Sequence, residues 1–190
     1  MLTATARVAV LIAIAVLLAI SPAMAAGKDT QSAAREKRVI GAKAIVSEVQ
    51  TGLEFVARID TGATSCSIHA EDVEVEDPGD DMRDNIDKKV SFTIVTAEGK
   101  KARIESTIAT TVRVKTSEET DRRYKVWMTL RYGDVKRRVR VSLNDRSHMD
   151  HPLLIGRNFL RGRFLVDVEQ ELTRPEAVDA PSDSPAAAAQ

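Results

Sequence analysis

The chain has 190 residues, of which 28 are Lys or Arg and 28 are Asp or Glu, so its formal net charge is zero. A neutral chain has no overall attraction to nucleic acid or to acidic lipid, and this length suits about one domain. The single cysteine, Cys66, excludes an intramolecular disulfide as the source of stability.

The first 25 residues are typical of an export signal. Arg7 precedes an apolar run at residues 8–20, and the small residues Ala23 and Ala25 form a cleavage site. The run is shorter than the roughly 20 residues that a membrane-spanning helix needs. We therefore expect cleavage after Ala25 and a protein that is periplasmic or otherwise exported, without stable membrane insertion.

Composition places the folded region between two polar ends. Residues 26–37 show no hydrophobic periodicity and are predicted to form a linker. Residues 173–190 contain three prolines and an alanine run, which predicts a disordered tail. The remaining residues, 38–172, are enough for one domain with one modest core.

Alternating apolar residues and β-branched side chains dominate the folded region and predict a mainly β fold. Turn residues separate the strands at short intervals, which is typical of a small barrel or sandwich. One short helix is predicted at residues 157–161. The predicted strands are residues 39–49, 53–59, 90–95, 102–108, 110–114, 124–132, 135–143, 153–155 and 164–168.

Two charged segments stand out in the folded region. Residues 76–89 are rich in acids and contain Pro78 and Gly79, which predicts a loop that is either mobile or folded over a substrate cleft. Residues 136–138 have the sequence Lys-Arg-Arg, which we interpret as the solvated face of a strand.

The stretch at residues 57–65 places a carboxylate at the end of an apolar strand and follows it with a hydroxyl and a glycine. Asp60 could act as an acid or a base, and Thr61 could hydrogen-bond to backbone across a loop. Gly62 would let a backbone N–H group and a substrate come close. An ordinary strand that ends in a turn uses the same residue types, so the stretch needs support from elsewhere in the chain.

A second stretch supplies that support. The sequence Asp-Thr-Gly-Ala at residues 60–63, followed by Leu-Leu-Ile-Gly-Arg-Asn-Phe-Leu at residues 153–160, resembles the paired signature of retropepsin-type aspartic proteases. Further stretches are similar to a bacterial retropepsin-like group whose members are often labelled ATP-dependent zinc proteases; they lie at residues 69–70, 139–146, 151–157 and 161–167. The chain has neither a phosphate-binding Gly-rich Lys-Ser/Thr loop nor a His-Glu-x-x-His helix to support that label.

The resemblance implies a single-lobe retropepsin-like barrel and assigns roles to the first stretch. Asp60 would be the catalytic residue, and Thr61 would hydrogen-bond across a dimer axis. Gly62 would offer backbone access, and Ala63 would border the path of a peptide or unfolded protein substrate. The chemistry needs two carboxyls that share a proton, so the second Asp60 would come from another copy of the chain in a homodimer.

The resemblance also implies that Gly156, Arg157 and Asn158 brace the catalytic loop, with the short helix following this motif. Thr64 stands where viral members usually carry an aspartate that pairs with the helix arginine, so Arg157 lacks its expected carboxylate partner. The glycine-rich flap of that family is not recognisable in residues 76–89 either.

Two other functions compete with an aspartic endopeptidase. The first is a non-catalytic module that uses the same fold to bind a peptide or an envelope component. The second is a zinc hydrolase, since four residues are possible ligands by type: His69, His148, His151 and Cys66. We favour hydrogen-bonded or surface histidines, a small buried Cys66 rather than a reactive thiol, and no metal or other cofactor.

Overall fold

A computed structural model of the chain describes residues 36–115 and 120–175, with the side chains of residues 114, 115, 120 and 121 excepted. The predicted export signal, most of the predicted linker and residues 176–190 of the predicted tail lie outside this part of the chain. Thr173, the first residue of that tail, belongs to a strand. Within the described part, no helix is long and apolar enough to cross a membrane.

The described residues are mainly β and contain one short α-helix, which confirms the predicted fold class. The helix α1 is Arg157–Leu160, and a single 3₁₀ turn is Met82–Asn85. The strands are β1 (Arg38–Ile40), β2 (Lys43–Glu48), β3 (Glu54–Ile59), β4 (Cys66–Val75), β5 (Lys89–Val95), β6 (Lys101–Lys115), β7 (Thr120–Tyr132), β8 (Val135–Asn144), β9 (Leu153–Ile155), β10 (Phe164–Val166) and β11 (Leu172–Thr173).

Six of these strands close into a ring. The hydrogen-bonded order is β2, β3, β9, β4, β8 and β7, and β7 pairs again with β2. Strands β5 and β6 form a separate ribbon that joins the ring through β4 and β7. Side chains that alternate along the strands fill the interior, among them Phe55, Ile68, Leu130, Val141 and Leu153, and Phe159 of α1 packs with them.

The turn between β2 and β3 shows how local sequence directs a strand to the site. Glu48 is buried, and its carboxylate accepts hydrogen bonds from the N–H groups of Gln50 and Thr51 and from the Thr51 hydroxyl. Gly52 has a φ of 73°, which glycine adopts without strain. The predicted hairpin is therefore confirmed, and it delivers β3 to Asp60.

Strand β4 was not predicted, because acidic residues hide its alternation. Cys66 and Ile68 are buried at its start, but the second half of the strand carries Glu71, Asp72 and Glu74. Two of these acids pair with cations on β6: the Lys101 Nζ to Glu71 Oε2 distance is 2.6 Å and the Arg103 Nη2 to Glu74 Oε2 distance is 2.7 Å. The predicted strands 102–108 and 110–114 form the single strand β6.

The acidic segment before β5 is folded against the ribbon. Asp81 begins the 3₁₀ turn with a capping box. The Asn85 side chain accepts a hydrogen bond from Gly79 N–H at 2.7 Å and donates one to the Tyr124 hydroxyl at 2.7 Å. The prediction of an irregular loop at residues 76–89 thus missed a helical turn that is attached to β7.

Candidate active site

Asp60 lies where β3 ends, and its position depends on the neighbouring strand. Ile59 pairs with Ile155 of β9, and the Asp60 N–H group donates to the Ile155 carbonyl at 2.9 Å. The Asp60 Oδ1 atom accepts hydrogen bonds from Gly62 N–H at 2.8 Å and from Ala63 N–H at 3.1 Å. The loop therefore holds its own carboxylate through two backbone amides. The exposed Thr61 lies between Asp60 and these amides in the chain.

Strand β9 lies between the two strands that flank this loop. It pairs in parallel with β3, where Arg58 faces Leu154, and antiparallel with β4, where Ser67 faces Leu154. Gly156 follows β9 directly and lies against the far side of the loop. A Cβ atom on Gly156 would be 2.6 Å from both the carbonyl carbon and the oxygen of Ser65, so only glycine fits here.

Asn158 connects three parts of the site. Its Oδ1 atom accepts hydrogen bonds from Cys66 N–H at 3.0 Å and from the Cys66 thiol at 3.2 Å. Its Nδ2 atom donates to the Arg140 carbonyl at 2.8 Å, and its backbone N–H donates to the Thr64 carbonyl at 3.2 Å. One side chain thus links α1, the start of β4 and β8.

Arg157 has a weaker attachment than the family signature suggests. Its Nη2 atom donates to the Thr64 hydroxyl at 3.2 Å, in an exposed position. Its backbone N–H donates to the Ala63 carbonyl at 2.8 Å, a bond that any residue except proline could make. The partner of the guanidinium is therefore a neutral hydroxyl in place of a carboxylate.

We expect Asn158→Ala to lower the free energy of unfolding by about 1 to 3 kcal/mol, because it leaves the buried Cys66 N–H group without an acceptor. Arg157→Ala serves as the matched control in the same helix, and we expect it to change stability by no more than about 0.5 kcal/mol, as an exposed position should. Urea denaturation of both variants measures the difference. An Arg157→Ala variant that loses more stability than Asn158→Ala would contradict this ranking.

Cys66 is fully buried behind the loop, in agreement with its interpretation as a small buried residue. Besides its bond to Asn158, its sulfur accepts a hydrogen bond from Gly156 N–H at 3.4 Å. Burial raises the pKa of the Cys66 thiol to about 11, although the Gly156 amide acts in the opposite direction. The thiol is therefore protonated at neutral pH.

Folded protein at pH 8 should resist alkylation of Cys66 by iodoacetamide, whereas protein in urea should react. The raised pKa also has a consequence for stability, since the folded chain keeps this proton to higher pH than the unfolded chain. Stability from this group is fully present below the unfolded pKa and is lost as the pH rises toward about 11. Alkylation at equal rates in folded and unfolded protein would show that the back of the loop is open.

Arg137 supports α1 from the barrel wall, and our sequence interpretation missed it. Its Nη1 atom donates to the carbonyls of Phe159 at 2.7 Å and Arg161 at 2.9 Å. These carbonyls lie at the end of α1, where the helix itself offers no donors. The Lys-Arg-Arg run is therefore a solvated face only at Lys136 and Arg138. Strand alternation could have shown this, since the middle residue of the run shares its face with the buried residues of β8.

Two of the three histidines contact Arg146, and none is part of a cluster of metal ligands in the described residues. His69 is buried, and its Nδ1 atom accepts a hydrogen bond from Arg146 N–H at 3.0 Å while its Nε2 atom lies 3.4 Å from Glu71 Oε1. The His151 carbonyl accepts from Arg146 Nε at 3.1 Å, and His148 is exposed. Within residues 36–115 and 120–175, no three His, Cys, Asp or Glu side chains come together as a metal site would require.

A groove of about 460 Å³ lies beside the loop. Thr61 forms part of its wall together with Ile59 and Arg58 at the end of β3, and His151 and Val168 line it as well. The structure thus brings the two stretches of the signature together, at residues 60–63 and 156–158, and leaves open space next to the first.

Comparison with known proteins supports the resemblance to retropepsin-like aspartic proteases. The profile of one family, described as RimB-like, retropepsin-like aspartic endopeptidase RimB, matches residues 39–177. The crystal structure of protein Lpg0085 from Legionella pneumophila, a protein of unknown function, is similar, with a TM-score of 0.59 and 25% sequence identity. That alignment covers 73% of this chain and 98% of the Legionella chain. No curated protein matches the chain.

Proposed function

The chain belongs to the RimB-like family of retropepsin-like aspartic endopeptidases, and from this premise we propose that it hydrolyses peptide bonds by means of Asp60. The observation that carries the proposal is the loop itself. Asp60 Oδ1 is held by the amides of Gly62 and Ala63, and Gly156 packs against the back of the same loop. A carboxylate held in this way is ready for acid and base chemistry.

The reaction needs a second carboxyl group. The sequence contains a single Asp-Thr-Gly tripeptide, so the partner is the Asp60 of a second copy, related by a twofold axis. Thr61 is exposed at the tip of the loop, where it would face its counterpart across that axis. Two such carboxyls in contact cannot both be ionised, so they share one proton.

Each carboxyl then has its own role in the reaction. The ionised Asp60 takes a proton from a water molecule as the water oxygen attacks the carbonyl carbon of the peptide. The protonated Asp60 of the other chain donates its proton to the carbonyl oxygen, which gives a neutral tetrahedral intermediate. A proton then passes to the amide nitrogen, and the carbon–nitrogen bond breaks.

The substrate class in this proposal is a peptide or an unfolded segment of a protein, which the groove beside Thr61 is open enough to admit. The export pattern in residues 1–25 adds a location outside the cytoplasm. The chemistry uses carboxyl groups and water alone, so the proposal includes no metal or other cofactor.

Activity that depends on a dimer must depend on protein concentration. We would incubate the protein with an unbiased peptide library and detect products by mass spectrometry over a range of protein concentrations. Analytical ultracentrifugation over the same range would give the fraction of dimer. Specific activity should rise in proportion to that fraction, and it should survive EDTA.

Three results would overturn the proposal, in two different ways. Full activity from protein that sediments as a monomer, or activity lost on chelation, would exclude the paired-carboxyl mechanism. A well-folded protein that binds peptides from the library without cleaving any of them would instead favour the non-catalytic binding module.

A further inference from the structure

The neutral net charge of the chain conceals an uneven distribution of cations. The side chains on the outer face of β7 and β8 are set by strand pairing: Trp127 faces Arg140, Thr129 faces Arg138, and Arg131 faces Lys136. We call this surface the outer basic face and define it by Trp127, Arg131, Lys136, Arg138 and Arg140. All five side chains are exposed, Trp127 by 37%.

The cations of the outer basic face have no acidic partners within the described part of the chain. None of its four cationic side chains takes part in any of the ion pairs found there. Those ion pairs involve cations elsewhere, for example Lys101 with Glu71 and Arg103 with Glu74. The difference shows that this face lacks the neutralisation that the ribbon of β5 and β6 has.

Charge crowding is visible at the edge of this face. Lys125 is half-buried on the same side of β7, and its pKa is lowered, first by burial and then by the positive charge of Arg140. Two acidic residues line the adjoining groove, the buried Glu48 and the exposed Glu105, and neither makes an ion pair in the described structure. An external anion would relieve this repulsion.

Trp127 stands among the cations. The Arg138 guanidinium lies over its ring at 5.1 Å from the ring centroid. A strand rises about 3.3 Å per residue, so the four cations and the indole lie within a patch about 13 Å long on two paired strands. Tryptophan surrounded by arginine and lysine is the combination that proteins place at the boundary between lipid headgroups and acyl chains.

We propose that the outer basic face docks the protein onto an anionic lipid surface, with the four cations on the headgroup phosphates and Trp127 at the acyl boundary. The contact is peripheral, and it is compatible with the expectation that the protein does not insert stably into membranes. It is also independent of any chemistry at Asp60.

A nucleic acid is the competing polyanion, and the geometry of Trp127 argues against it. Binding of single strands relies on bases that stack on a free aromatic face. Here Arg138 already covers one face of the indole, and about two-thirds of the side chain is buried. A lipid surface needs only the exposed edge of the ring and the charges around it.

The single tryptophan of the chain makes the test direct, because all tryptophan fluorescence comes from Trp127. We would titrate the protein with vesicles of phosphatidylglycerol and phosphatidylcholine in equal parts, and with vesicles of phosphatidylcholine alone. The vesicles that contain phosphatidylglycerol should shift the Trp127 emission to the blue and should co-sediment with the protein. The vesicles of phosphatidylcholine alone should do neither. Salt should weaken the binding.

Arg138→Gln combined with Arg140→Gln should weaken binding to the anionic vesicles at least tenfold, since each cation near such a surface contributes roughly fivefold. Lys100→Gln combined with Arg161→Gln removes the same charge from exposed positions elsewhere and should leave binding unchanged. Circular dichroism confirms that both variants fold. An uncleaved apolar run at residues 8–20 would bind both vesicle types. The difference in binding affinity between the two vesicle types therefore measures the contribution of the outer basic face.

Several outcomes would overturn the proposal. They are equal binding to both vesicle types, a co-sedimenting protein whose Trp127 emission does not shift, and equal losses in the two double variants. Tighter binding of a single-stranded oligonucleotide than of anionic vesicles would assign the face to nucleic acid instead.

Discussion

Asp60→Asn should abolish peptide cleavage and leave the fold intact. The asparagine amide has the same shape as the carboxyl, and its oxygen can still accept hydrogen bonds from Gly62 and Ala63. It can neither take a proton from water nor donate one to the peptide carbonyl, so we expect kcat/KM to fall by roughly a thousandfold or more. The measurement is steady-state cleavage of a peptide identified from the library.

A matched control and a mixing experiment sharpen this prediction. Asp150→Asn makes the same chemical change at an exposed aspartate and should retain full activity. An excess of the Asp60→Asn chain added to wild-type protein should lower activity further than dilution alone, because mixed dimers contain one carboxyl group instead of two. Equal activity of wild type and Asp60→Asn would eliminate the aspartic mechanism altogether.

Gly156→Ala should be among the most damaging single changes outside the core. Its Cβ atom would lie 2.6 Å from the Ser65 carbonyl carbon and oxygen, and the Ala63 oxygen would be 3.0 Å away. These are backbone atoms held by β4, β9 and α1, so they cannot rotate away as a side chain could. We expect the free energy of unfolding to fall by about 2 to 4 kcal/mol, with loss of activity as the loop shifts.

Gly99→Ala is the control for this substitution. Gly99 has a φ of 78° in the turn before β6, and a Cβ atom there would meet nothing within 4 Å. Its cost is conformational only, about 1 kcal/mol, and it should leave activity unchanged. Urea denaturation compares the two, and a Gly156→Ala variant as stable as Gly99→Ala would mean that the loop can move away from α1 at little cost.

The alternation of buried and exposed side chains explains which strands and contacts the sequence interpretation predicted and which it missed. Strands whose buried residues alternate without interruption, such as β3 and β8, were located within a residue or two. β4 was missed because its acidic second half is neutralised by cations on β6, which come from far along the chain. Arg137 was missed because a run of three basic residues was interpreted as one surface, although alternate residues of a strand face opposite sides.

Local sequence patterns do not predict the contacts that hold the candidate site. Asn158 and Cys66 are separated by 92 positions in sequence, and their hydrogen bonds exist only because β9 is inserted between β3 and β4. The signature of the family predicted a brace, and Arg157 was expected to lack a carboxylate. It did not show that the Asn158 side chain would make three hydrogen bonds to neighbouring elements while the Arg157 side chain makes one.

The sequence by itself determined the mainly β class, the loop with its single Asp60, and the pairing of that loop with a later Gly-Arg-Asn motif. The first two features depend on residue type and on short-range spacing, which a linear sequence contains in full; the third was implied by the resemblance to retropepsin-type proteases. Only the tertiary structure decided that Gly156 and Asn158 support the loop while Arg157 contributes little. It also decided that four cations without an acidic partner among the described residues gather around Trp127. The first result depends on the insertion of β9 between β3 and β4, which joins residues that the chain keeps far apart. The second depends on the register of β7 against β8 and on the acidic side chains pairing with other cations.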